Sequence, residues 1–218
     1  MKKLIFLSIV FLSLFANCEI PNPFEIPKGW TKYTIFPESY KCKYDECWGT
    51  ANGHKSSPYL LHAIKDTAFV FEFVFPDRGY IYDIGQEQSD WNKLYGITDY
   101  LNNIHTESYR FSWRWFNQEL QIGYYIHIDE DIFKGIIYVT DVGEMITGVI
   151  DVTEGEVAFK IISGFMVAEK IISDDRIRCI EKGYTSPPYF GGNKALPENE
   201  EPVRILIKTD CLISALKQ

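Results

Sequence analysis

The chain has 218 residues, with 22 Lys and Arg against 30 Asp and Glu, a formal net charge of -8 and 46% hydrophobic residues. That balance supports a buried core and excludes a disordered chain, while the acidic excess and only 4 His argue against nucleic acid as partner and against a multi-histidine metal site. The 15 Phe, 14 Tyr and 5 Trp tilt the chain towards β-structure, and its length suits one domain of sandwich or barrel size.

At the start, Lys2 and Lys3 precede the apolar run Leu4 to Phe15, which is long enough for a secretory signal and too short for a bilayer-spanning helix. The run ends at Ala16-Asn17-Cys18, which resembles the lipobox of bacterial lipoproteins. The resemblance implies that 1–17 is a signal peptide and that Cys18 is lipidated, anchoring the chain to a membrane of the bacterial envelope. Cleavage at Ala16-x-Cys18 to give a soluble secreted protein is the alternative. Residues 18–30 carry Pro21, Pro23 and Pro27 and read as a tether. Residues 31–218 then read as a single β-sandwich domain.

With Cys18 set aside, Cys42, Cys47, Cys179 and Cys211 remain, an even number suited to an oxidising compartment. Cys42–Cys47 as a local clip and Cys179–Cys211 as a bridge between late strands are expected, with free thiols as the alternative. No CxxC or His pair suggests a metal.

Periodicity predicts strands along the rest of the chain. Thr67 to Phe75 (TAFVFEFVF) reads as an interior strand, and Pro76-Asp77-Arg78-Gly79 as a turn before Tyr80-Ile81-Tyr82 resumes. Trp91 to Asn103 and the tail Leu212 to Gln218 read as places for a helical turn. Ser108 to Trp115 alternates Tyr109, Phe111, Trp113 and Trp115 with Ser108, Arg110, Ser112 and Arg114. That period of two sends the aromatic set to the core and the arginines to an exposed face. Asn117-Gln118 turns the chain into a hairpin partner, Leu120 to Asp129. Further strands are expected over Gly135 to Asp141, Met145 to Val152, Glu156 to Ser163, Phe165 to Ile172, Arg176 to Glu181 and Val203 to Thr209. Many short strands divided by turns predict an all-β, antiparallel β-sandwich.

The order Lys93-Leu94-Tyr95-Gly96, Ser108 to Arg114, Leu120 to Ile126, Pro188-Tyr189-Phe190-Gly191-Gly192-Asn193, Pro197 and Arg204 to Lys208 resembles a family of jelly-roll domains from exported bacterial proteins. These are similar in fold to concanavalin-like lectins and polysaccharide lyases. In the alginate-lyase-like members an Arg-rich strand, a Gln-x-His strand and a Tyr-bearing strand share one concave face. The resemblance implies Arg110, Arg114, His127 and Tyr189 as catalytic candidates, with arginine neutralising a uronate carboxylate while His and Tyr move the proton. Tyr125 stands where those members have Gln, and the Tyr strand lacks their lysine and second Tyr. Ligand binding by Arg110, Arg114, Tyr125 and His127 is therefore the preferred reading.

Asp129-Glu130-Asp131 reads as a solvated loop, with a calcium site through Asp129 and Asp131 as the alternative. No other cofactor is expected. Neither Gly-x-Ser-x-Gly nor a phosphate-cradling glycine loop is present. The functional expectation is an exported lipoprotein that binds a glycan or host ligand or serves as an envelope interaction module. A divergent polysaccharide lyase acting on an acidic glycan is the alternative.

Overall fold

The computed structural model describes residues 26–38, 53–57, 63–64, 68–99, 104–180, 183–191 and 194–209. The expected signal segment 1–17, Cys18, Cys42, Cys47, Cys211 and the tail 212–218 lie outside the described residues, so neither expected disulfide falls wholly within them. Cys179 is described and half-buried.

Among the described residues, two antiparallel sheets form a sandwich of jelly-roll type. Sheet A runs in the order β11 (Met166–Ser173), β10 (Glu156–Ser163), β9 (Ile146–Thr153), β4 (Ala68–Val74), β13 (Val203–Lys208), β1 (Thr31–Ile35), β2 (Ser56–Ser57). Sheet B runs β3 (Ala63–Ile64), β12 (Gly183–Ser186), β5 (Asn92–Asp99), β6 (Glu107–Phe116), β7 (Glu119–Ile128), β8 (Asp131–Thr140).

The alternating aromatics make the core. Phe69, Phe71, Phe73 and Phe75 project from the β4 segment towards sheet B, and Tyr109, Phe111 and Trp113 of β6 meet them. Phe71 stands edge-on to Phe111 at 5.6 Å, and Trp113 edge-on to Phe75 at 5.4 Å and to Tyr82 at 5.7 Å. Edge-to-face contacts suit the ring quadrupole and add to the area each ring buries. The β6–β7 hairpin turns on Asn117 and Gln118, both left-handed with φ 54° and 64°, the backbone of a two-residue turn that follows the sheet's twist.

Three local expectations are corrected. Trp91 to Asn103 holds strand β5, whose alternation is broken by a bulge between Lys93 and Tyr95. That extra residue destroys the period of two on which strand recognition depends. Arg176 to Glu181 forms no strand in its described part. Ile177 donates its N–H to Asp174 and accepts from Gly155, so its main chain closes a turn rather than joining a sheet. After Pro76, Arg78–Tyr80 is a 3-10 turn capped by the Asp77 side chain, with no strand resumed at Tyr82.

Candidate functional site

Strand pairing fixes which side chains share the outer face of sheet B, because directly opposed residues project to the same side. One cross-strand row is Ser186, Gly96, Arg110, Tyr125 and Lys134. The row on one side of it is Tyr184, Thr98, Ser108, His127 and Ile132. On its other side lie Lys93, Ser112, Gly123 and Ile136, then Arg114, Gln121 and Val139. The face thus gathers Arg110, Arg114, Tyr125 and His127, as the sequence predicts, and adds Lys93.

At its centre Arg110 donates from Nη2 to His127 Nδ1 at 2.9 Å, and its guanidinium lies 5.4 Å from the centroid of the Tyr125 ring. Arginine has only hydrogens to offer, so Nδ1 accepts and the imidazole proton sits on Nε2. Burial, then Arg110, then His105 push the His127 pKa down to about 4, with the Ile104 carbonyl opposing them. Ile104 also accepts from the Ser108 hydroxyl at 2.7 Å, and the His105 ring stands 5.7 Å from His127. Ile104 and His105 therefore pack beside His127 at this end of the face.

Lys93 is carried inward by the bulge. Its ammonium donates to the carbonyls of Trp91 and Gly191, each at 3.1 Å, and lies 4.3 Å from the Tyr125 ring centroid. Burial, followed by the charge on Arg110, lowers its pKa to about 7, although Asp90 pulls the other way. At the other end, the Arg114 guanidinium is 4.2 Å from the Trp91 ring centroid and donates to Gln121 at 2.8 Å and to the Ser89 carbonyl at 2.7 Å. Neither Lys93 nor Arg114 forms an ion pair with a carboxylate among the described residues.

Two glycines make the room. A Cβ on Gly123 would stand 2.7 Å from the Trp91 ring and would strike the Gly135 carbonyl; a Cβ on Gly96 would stand 2.7 Å from the Arg110 side chain. Without them neither Trp91 nor Arg110 could lie flat across the sheet.

Three parts of the expected site have surroundings that the sequence did not announce. Arg110 is 4% exposed, not a surface residue, because the strand period assigns a side but says nothing of what covers it. Tyr189 pairs with Lys93 across β5 from Arg110 and stacks on His54 at 5.3 Å. Its main chain is thus three strands away from β7 in sheet B. Asp131 meets Arg176 at 2.8 Å, with Asp129 4.0 Å from the same nitrogen. Around the calcium candidates no group of three metal-ligating side chains is found among the described residues. Lys93 and Trp91 were missed as site residues. Their signal was a lysine set between Trp91 and Leu94-Tyr95, which is unusual for a solvent-facing charge.

The class that emerges is an antiparallel β-sandwich whose second sheet carries buried cations on its outer face. No protein-family model matches the chain, and no curated protein matches it. Among solved structures, an alginate lyase from Klebsiella pneumoniae is 13% identical at a TM-score of 0.46, covering 64% of this chain, which in turn spans 57% of that one. An alginate lyase, vAL-1, from Chlorella virus is 12% identical at 0.45 over 82% of this chain and 84% of that one. A functionally unknown protein from Saccharomyces cerevisiae is 7% identical at 0.49 over 85% and 89%. These are likenesses of chain path; what this protein binds must follow from its own residues.

Proposed function

We propose that the outer face of sheet B binds an acidic glycan in an exported bacterial lipoprotein, with Lys93, Arg110 and Arg114 meeting its carboxylate or sulfate groups. The observation that carries this reading is the chemistry holding the cations. Lys93 rests on carbonyls and a ring, and Arg114 on an amide, a carbonyl and a ring. Positive charge drawn from water and paired with no carboxylate among the described residues raises the free energy of the empty face, and an incoming anion recovers it. Trp91 and Tyr125 are buried beneath these cations, so their rings hold the charges in place rather than offer a surface of their own.

Binding fits the face better than elimination chemistry. The basic nitrogen of His127 already accepts from Arg110, and Tyr189 lies on the far side of β5. The test is calorimetric titration with a uronate polymer, a sulfated polymer and a neutral glucan. The first two are expected to bind, more weakly as salt is added, and Arg114→Ala is expected to weaken them while the fold persists. Equal binding of the neutral glucan, or release of unsaturated uronate from the polymer, would overturn this reading.

A further inference from the structure

Strand β8 gives this face an edge of a different kind. Ile132, Ile136 and Val139 project to the same side as His127, Gly123 and Gln121, and they are 49%, 49% and 44% exposed. Lys134 stands between the two isoleucines, directly opposite Tyr125. The run from Ile132 to Ile136 covers about 14 Å of strand. Exposed edge strands ordinarily carry charge, which discourages sticking, so three aliphatic side chains on the rim of a cationic floor need an occupant. Hydroxylated sugar rims give such a row nothing to bury. An apolar substituent does, provided its parent chain also bears the negative charge that the floor and Lys134 require.

We propose that the ligand of this face is an acidic saccharide carrying short acyl groups, its anionic groups on Lys93 and Lys134 and its acyl methyls against Ile132, Ile136 and Val139. This rests on the acidic-glycan reading above and specifies which glycans the face selects. The bulge of β8 opposite Ile122 and Gly123 supports it. By placing two residues against one, the bulge keeps Val139 on the same side as Ile136 at an odd spacing and so extends the apolar rim past Trp91.

The test compares an O-acetylated uronate polymer with the same preparation after mild alkaline deacetylation, by calorimetric titration of the full chain and of Ile132→Thr/Ile136→Thr. Threonine keeps the branched β-strand shape, and both positions are half-exposed, so the variant should unfold at the wild-type temperature. Wild type is expected to prefer the acetylated polymer by about four-fold per buried methyl, the equivalent of ~0.8 kcal/mol. The double variant is expected to bind both forms with the wild-type affinity for the deacetylated one. Wild type binding both forms equally, or a preference that survives in the double variant, overturns the rim assignment and leaves the acidic-glycan reading standing. Failure of wild type to bind either form sinks both.

Discussion

His127 keeps its proton on Nε2 because Arg110 occupies Nδ1, and its buried place pushes its pKa from the ordinary 6.5 down to about 4. The unfolded chain therefore binds a proton near pH 6.5 that the folded chain refuses until about pH 4, and between these values the unfolded state holds more protons. Stability owed to His127 is complete above about pH 6.5 and drains away as the pH falls towards 4, by roughly 1–2 kcal/mol once solvent screening is allowed for. Urea unfolding across that range should show the decline. His127→Gln, whose amide oxygen can accept from Arg110 but cannot titrate, should flatten it; an unchanged slope in that variant would place the titration elsewhere. Which side Arg110 and His127 occupy was legible in the sequence. Their burial was not, since the strand period assigns a side and says nothing of what lies over it.

At the scale of the element, the faces of β6 and β7 were readable because each strand keeps a strict period of two over its whole length. β5 was not, because the bulge at Lys93 to Tyr95 breaks the period in the segment that supplies Lys93. A second β5–β7 feature is open to test. Gly123→Ala would set a methyl against the Gly135 carbonyl of β8 and 2.7 Å from Trp91, so either the β7–β8 pairing or the ring must shift. A cost of about 1–3 kcal/mol is expected, together with an altered Trp signal in near-ultraviolet circular dichroism. An unshifted spectrum and full stability would mean that Trp91 does not lie where described. Elsewhere the β8–β9 connection is tied by Glu144, which accepts from Tyr138 at 2.8 Å and Thr140 at 2.7 Å and also from Ser163. Burial pushes that carboxyl up, but the three hydroxyls outweigh it and hold its pKa below the usual value. No periodicity announces such a knot, since its members come from three separate segments.

For the molecule as a whole, the two sheets are held together by rings. Trp113 is fully buried and contacts Phe75, Tyr82 and Phe190, the last at 6.0 Å. Trp113→Ala should cost about 3–5 kcal/mol, and Trp113→Phe appreciably less, both read from denaturant midpoints. A small loss for the alanine variant would mean that the sheets pack through other contacts. The sandwich was legible because aromatic alternation and turn signals agree along most of the chain. The contacts that Ile104 and His105 make at the edge of its outer face were not, and they bear on how a ligand would arrive. Ile104 accepts from Ser108 and the His105 ring stands against His127, so a ligand approaching the imidazole from that side meets them first. Were their parting slow, the observed capture rate would level off as ligand concentration rises, whereas a rate that stays proportional to concentration in stopped-flow mixing would show that 104–106 impose no wait.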